Sequence, residues 1–255
     1  MKKLITALGA LTLTLLTSCL QNETTLSLNK DGSGTITEIT TFGPEIFQMM
    51  GAVGEGGDPM EQMLQQNKER SEKAVASMGE GVTLKEVKAI NRDGKKGVIT
   101  VYEFKDVNKL NYVFGQSMNE GGPEGEEGEP LKLSYKDGVL TLDNTLEEGD
   151  AGDADVAGEA PGPEEMAMAK QMMKDVRMSF KLEFPGGIAE TNGEYVDGNK
   201  VTLMDLDMGA LVNNDEKFKE FMTSDPGSAA EAKKILDGIE GIKVEGADTL
   251  SVKLK

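Results

Sequence analysis

Residues 24–42 read TTLSLNKDGSGTITEITTF, and this stretch decides the fold class. Leu26 and Leu28 alternate with polar residues, and a Thr- and Ile-rich run continues on the other side of the Asp31-Gly32-Ser33-Gly34 segment. Two strand-like runs joined by a Gly-rich turn are typical of a β-hairpin. The stretch therefore predicts two antiparallel strands at the start of a sheet.

The same pattern recurs along the chain and predicts the rest of the fold. Further hairpins are expected at 82–104, 131–142 and 188–206, with turns at 91–94, 136–138 and 197–199, and further strands at 176–184 and 242–254. Helices are expected to begin at Pro44 and Asp58 and to cover 164–174, 214–221 and 228–236, with a short helix or turn over 106–114. Hairpins joined by short helices predict an α+β domain, in which the helices pack on an antiparallel sheet.

The composition excludes several classes of function. The chain has no His, one Cys and a formal net charge of −18. Without His it cannot build the common Ser-His-Asp or Cys-His nucleophiles or a histidine zinc site. One Cys excludes a disulfide framework within the chain and a cysteine metal cluster. Nucleic acid is not expected as a partner, because affinity for phosphates needs clustered Lys and Arg. We expect no cofactor and no enzyme.

The N-terminus has the organisation of a secretory signal. Met1 is followed by Lys2 and Lys3, an apolar stretch over 4–16, and small residues before Cys19. The segment Leu16-Thr17-Ser18-Cys19 resembles the lipobox of bacterial lipoproteins. The resemblance implies a signal peptide over 1–18, cleavage after Ser18, and lipidation of Cys19.

Lipidation of Cys19 implies attachment to a membrane through acyl chains, because two or three chains hold a protein durably on a leaflet. Leu20 follows the cysteine, where many lipoproteins retained at the inner membrane have Asp, so the outer membrane is favoured in a bacterium with two membranes. We expect a short tether over 20–23 and a single α+β domain over 24–255. Loss of Lys2 and Lys3 lowers the net charge to −20.

Two acidic stretches interrupt the pattern, at 119–129 and 147–165. Both lack basic residues and large apolar side chains, so both are expected to be flexible solvated loops. A linker between two domains at 147–165 is the alternative. Asp153, Asp155 and Glu164 have the spacing of calcium ligands and are weak metal candidates, although Pro161 argues against an EF-hand loop.

Residues 29–37 also match the first nine positions of an EF-hand loop. The twelfth position is Thr40, where the motif requires a bidentate Glu, and the flanking residues predict strands instead of helices. A hairpin turn explains the same residues.

Two further residue groups have a structural and a functional interpretation. The methionines of the predicted 164–174 helix are expected to pack in the core, with a Met-lined groove for a lipid or partner helix as the alternative; they are Met166, Met168, Met172 and Met173. The carboxylate pairs Glu183 with Glu190 and Asp205 with Asp207 have the residue types that glycoside hydrolysis uses.

Residues 26–34 (LSLNKDGSG), together with 184–193 (FPGGIAETNG) and 197–201 (DGNKV), resemble the LppM-type domain of bacterial lipoproteins. The resemblance implies an α+β domain, localisation in the cell envelope, and lipid or glycolipid binding as one function. It supplies no catalytic residues.

These observations predict a lipid-anchored envelope lipoprotein that binds a lipid or a protein partner at the membrane surface and is not an enzyme. A divalent-cation-binding or structural surface lipoprotein, with its function in the acidic loops, is the alternative. A carboxylate-dependent hydrolase is the third hypothesis.

Overall fold

The computed structural model describes residues 20–44, 47, 58–114, 129–144, 162–224 and 229–255. Within them the chain forms two sheets, and the predicted α+β class is confirmed. The strands are β1 (Leu20–Leu28), β2 (Gly34–Phe42), β3 (Thr83–Arg92), β4 (Lys95–Phe104), β5 (Lys132–Lys136), β6 (Val139–Asp143), β7 (Val176–Glu183), β8 (Ile188–Thr191), β9 (Val196–Asp197), β10 (Lys200–Asp207), β11 (Lys243–Val244) and β12 (Thr249–Leu254).

The large sheet has the strand order β11-β10-β7-β1-β2-β4-β3, with β9 paired to β10, and the small sheet has the order β5-β6-β12-β8. Strands β1 and β7 are parallel, and the other pairs are antiparallel. The α-helices are α1 (Pro59–Ala74), α2 (Pro163–Met173), α3 (Met208–Val212), α4 (Asp215–Thr223) and α5 (Ala229–Leu236), and a 3-10 helix covers Val107–Lys109. None of the helices in these ranges is long and apolar enough to span a bilayer.

The β1–β2 hairpin that the opening stretch predicts is present in the structure. Leu26 lies opposite Ile36 and Leu28 opposite Gly34. In the turn, Asp31 accepts hydrogen bonds from the backbone N–H and the hydroxyl of Ser33. Gly32 has φ +85°, a conformation that glycine adopts without strain. The flanks are strands, so the EF-hand-like residues form a hairpin turn.

The helices expected to begin at Asp58 and at 214 are present, and each has a side-chain cap at its start. Asp58 caps α1 by accepting from the N–H of Met60, and Asn214 caps α4 by accepting from the N–H of Lys217. Side-chain oxygens at these positions satisfy N–H groups that the first helical turn leaves unpaired. The helix predicted from Pro44 lies mostly outside the described residues.

Two groups of buried side chains hold the domain together. The first packs the two sheets and the 107–114 segment around Leu26, Leu182 and Phe184. The second packs helices α2 to α5 around Leu211 and Phe218. Both groups use the same face of the large sheet, because Met204 contacts both of them.

The predicted hairpin over 188–206 is wrong in its first half. Only Val196–Asp197 turns back on β10, whereas Ile188–Thr191 pairs with β12 in the small sheet. The predicted strand over 242–254 likewise divides into β11 in the large sheet and β12 in the small one. The buried Glu245 carboxylate accepts from the N–H groups of Glu194 and Ala247. These hydrogen bonds hold the two segments where the chain passes from one sheet to the other.

The tether expected over 20–23 is part of strand β1. Leu20 pairs with Phe42 of β2 and with Val176 of β7. The sequence at 21–23 is polar, so it does not indicate this extension of the strand. Asn22 is nevertheless buried, because its amide donates to the Thr40 hydroxyl. The described sheet therefore reaches the residue that follows Cys19.

Most of the acidic stretches at 119–129 and 147–165 lies outside the described residues. The exceptions are Glu129 in the first stretch and residues 162–165 in the second, where Gly162 is the N-cap of α2 and 163–165 begin the helix. The predicted signal peptide over 1–18, with Ser18 and Cys19, also lies outside them.

Candidate functional site

The end of the large sheet next to Cys19 is defined by strand register. Leu20 lies opposite Phe42 on one side and opposite Val176 on the other, and Phe42 lies opposite Lys96. We use the name anchor end for the end of the sheet that these four residues form. One peptide unit separates Leu20 from Cys19, and one residue spans about 3.3–3.6 Å, so the anchor end adjoins the predicted lipidation site.

Cationic side chains lie at the anchor end. Lys95 and Lys174 form no ion pair with any residue in the described ranges. The Lys96 ammonium lies 5.7 Å from the centroid of the Phe47 ring, which contacts Phe42 edge-on with 6.3 Å between ring centroids. By contrast, Arg92 bonds the Glu23 carboxylate at 3.1 Å.

Helix α2 ends beside the anchor end, at Met173. Met166 and Met173 pack against the second buried group, as the sequence predicts. Met168 and Met172 do not, because their side chains are 66% and 64% exposed. They are four residues apart, so they lie on one face of the helix. Core packing therefore accounts for two of these four methionines, and the other two form an apolar stripe in solvent.

A polar cluster lies between α1 and the large sheet. The Glu38 carboxylate, 7% exposed, accepts a 2.6 Å hydrogen bond from the Tyr112 hydroxyl. Burial, with the Glu38 charge as a second cause, raises the pKa of Tyr112 well above its ordinary value. The Tyr112 hydroxyl therefore stays protonated and donates to the carboxylate throughout the physiological pH range.

The cavity at this cluster has a volume of about 30 Å³ and is lined by Arg70, Ser71 and Thr100 as well as the Glu38–Tyr112 pair. Such a volume holds one or two water molecules, whereas ligand pockets run to about 300–1,000 Å³. The cluster therefore serves the packing of α1 on the sheet and does not form a chamber for an acyl chain.

Removing the Tyr112 hydroxyl is expected to destabilise the domain. In Tyr112→Phe the buried Glu38 carboxylate loses a donor, and hydrogen bonds to charged groups contribute about 1.5–3 kcal/mol. Urea unfolding measures the change. Tyr135→Phe is the matched control, because its hydroxyl donates to the exposed Lys30 carbonyl, and we expect about 0.5–1.5 kcal/mol there. Equal losses in the two variants would contradict the structural role of the buried pair.

Three of the four carboxylates considered for hydrolysis have structural partners. Asp205 receives two hydrogen bonds from Arg177, at 2.9 and 3.0 Å, and these raise the pKa of the guanidinium. Asp207 caps α3 by accepting from the N–H of Ala210. Glu183 lies 3.5 Å from the Lys200 ammonium, in a different sheet from Glu190.

An open groove of about 640 Å³ lies between α5 and the segment before β9. Three of its five charged side chains have partners. The Lys233 ammonium bonds the Glu194 carboxylate and lies 5.6 Å from the centroid of the Tyr195 ring. Both Glu245 oxygens accept backbone N–H groups. The groove therefore offers few uncommitted polar groups to a ligand.

The weak metal candidates are not brought together in the part of the chain that the structure describes. Glu164 is exposed in the first turn of α2, and Asp153 and Asp155 lie outside the described residues. Among the described residues no group of three or more potential ligand side chains could hold a metal ion.

The Glu38–Tyr112 contact is not predicted by the sequence pattern. Its local signal is the position of Glu38, two residues after Ile36 on the face of β2 that points into the core. A carboxylate at a core-facing position needs a partner. The partner is 74 residues away in sequence, so the pattern alone does not identify it.

Comparisons with known proteins show weak structural likeness only. No family model matches the sequence, and no curated protein matches it. The chain resembles the folded domain of Mycobacterium tuberculosis LppM, solved by NMR, with a TM-score of 0.34 and 13% identity over 97% of this chain and 95% of that one. It also resembles a mutant M1 zinc metallopeptidase from Deinococcus radiodurans, with a TM-score of 0.25 and 9% identity over 74% of this chain and 40% of that one.

Proposed function

We propose that this chain is a lipid-anchored protein of the bacterial cell envelope, held by acyl chains on Cys19, and that it acts by binding and not by catalysis. The observation that carries the proposal is the start of β1 at Leu20, directly after the lipobox-like cysteine. Leu20 is paired on both sides, so the described sheet reaches the residue that follows the proposed attachment point.

The hydrogen bonds and ion pairs that the carboxylates form support binding over catalysis. Asp205, Asp207 and Glu183 each have a structural partner, and Glu38 accepts from a phenol whose pKa is raised. A general acid or base needs freedom to exchange a proton near neutral pH. These groups are instead committed to holding the strands and helices in place.

The small size of the cavity under α1 supports binding at the surface of the domain. A volume of about 30 Å³ does not admit an acyl chain, so a lipid or protein partner would meet the outside of this part of the domain. Without a free tether the domain stays at the membrane surface, within reach of partners in or on the bilayer.

The experiment is metabolic labelling with a fatty acid of cells that produce the chain or its Cys19→Ser variant. Label in the wild type alone supports the proposal. An unlabelled wild-type chain, or equal label in both, contradicts it.

A further inference from the structure

We propose that the anchor end is a membrane-docking surface, which lies against the headgroups of a bilayer containing anionic phospholipids. Lys95, Lys96 and Lys174 contact the headgroups, and the Met168–Met172 stripe of α2 lies at the interface. This inference rests on the proposed attachment through Cys19, and it adds the surface and the lipid that attachment alone does not specify.

The geometry limits how the domain can sit. Cys19 adjoins Leu20, and Leu20 is held in register between Phe42 and Val176. When acyl chains on Cys19 are buried in the bilayer, the row of residues at the anchor end lies within a few ångströms of the headgroups. The opposite end of β1, at Leu28, is eight residues away, or about 26 Å at the usual rise of a strand.

The anchor end also carries acidic residues, since Asp93 lies in the turn before Lys95 and Asp175 follows Lys174, but its lysines suit an anionic surface. The whole chain has a formal net charge of −18, so most orientations bring like charges together at such a membrane. Lys95 and Lys174 have no ion-pair partner in the described ranges, so their ammonium groups are free to meet phosphates. Basic residues next to an anionic leaflet are attracted within about one Debye length, roughly 8–10 Å.

Charge alone does not select this end, since Lys30 and Lys136 are exposed near the far end of β1. Two other observations do. The attachment residue adjoins the anchor end, and the exposed Met168 and Met172 belong to the helix that ends three residues before Val176. Flexible apolar side chains gain by leaving water for the boundary between headgroups and acyl chains.

The chain has a single cysteine, so a spin label can be attached at one chosen position. In the acylated protein the Cys19 thiol is consumed by the lipid, so an introduced cysteine is the one site for a spin label. Asn91→Cys reports on the anchor end, because Asn91 is exposed and lies opposite Lys96. Lys30→Cys is the matched reporter in the turn at the far end of the sheet.

Each acylated full-length mature protein is reconstituted in vesicles of phosphatidylcholine alone or with one third phosphatidylglycerol. In the anionic vesicles we expect collisions of a water-soluble relaxation agent with the Asn91→Cys label to fall at least about threefold relative to the Lys30→Cys label, because the headgroup layer shields one end only. Equal accessibility of the two labels would overturn the docking surface. Equal shielding in both vesicle types would overturn its preference for anionic lipid.

A charge-reversal pair separates lysine contacts from simple proximity. Lys95→Glu with Lys174→Glu, in the Asn91→Cys protein, is expected to restore at least half of the lost collisions in anionic vesicles, because like charges repel over the same short range. Lys30→Glu with Lys136→Glu makes the same change of net charge at the far end, and we expect it to leave the shielding unchanged. Equal effects of the two pairs would overturn the role of the anchor-end lysines. A chain that is not acylated would not enter the vesicles at all, so failure of the proposed anchoring is recognised separately.

Discussion

Replacing Cys19 with serine is expected to abolish acyl labelling of the chain completely. The only thiol of the sequence is at this position, and a hydroxyl does not replace the thiolate as the nucleophile in thioether formation. Labelling with a fatty acid, followed by separation of the chain on a gel, measures the effect.

Ser18→Ala is the matched control. It changes the residue next to the predicted cleavage point but keeps a small side chain there, as the lipobox resemblance requires, so labelling is expected to persist. Acyl label on the Cys19→Ser chain would contradict attachment at this residue. Loss of label in Ser18→Ala would show that the segment is not processed as a lipobox.

The consequence for membrane retention is large, because each buried CH₂ group adds about 0.8 kcal/mol and two or three acyl chains hold a protein durably. The described part of the chain contains no helix that could replace them as an anchor. Under the proposed attachment, acylation is the step that we expect to bring the anchor end to a bilayer.

Gly97→Ala is expected to destabilise the domain by more than about 4 kcal/mol, which is a large effect for a single substitution. A Cβ at Gly97 would lie 1.9 Å from the Thr40 carbonyl oxygen and 2.7 Å from the Thr41 Cα. Both are backbone atoms of the neighbouring β2, so the clash cannot be relieved by a side-chain rotation. Strands β2 and β4 would have to move apart at this position, which would break the hydrogen bonds that join them.

Urea unfolding of the wild type and the variant measures this effect. Gly186→Ala is the control, because a Cβ there meets no atom within 4 Å and the residue has an ordinary φ, so a change within about 0.5 kcal/mol is expected. A Gly97→Ala protein as stable as the Gly186→Ala protein would contradict the close approach of β2 and β4.

Hairpins with short turns were predictable from the sequence, because their signals are local. Asp137-Gly138 joins β5 to β6, and both residues have positive φ, as such turns require. Alternation of apolar residues shows which face of a strand is buried, but not which sheet it joins. The assignment of β8 and β12 to the small sheet depends on Glu190 opposite Lys253 and similar long-range pairs, for which the sequence has no local signal.

The first residues of β1 have no local strand signal, for a related reason. Gln21, Asn22 and Glu23 have no apolar alternation, and their strand conformation comes from the neighbours on both sides. Asn22 is buried because Thr40 satisfies its amide. The candidate site was therefore predictable in part: the lipobox-like segment is a local pattern, whereas the surface next to it is set by register between distant strands.

The most direct test of this account is the mass of the N-terminal peptide of the mature protein, released from membranes and cut with trypsin. Lys30 is the first basic residue after Cys19, so the peptide covers residues 19–30. We predict a peptide that begins at Cys19 and has the mass of a diacylglyceryl group, with or without a third acyl chain on its amine. A peptide with a free Cys19 thiol, or a mature chain that begins at another residue, would contradict it.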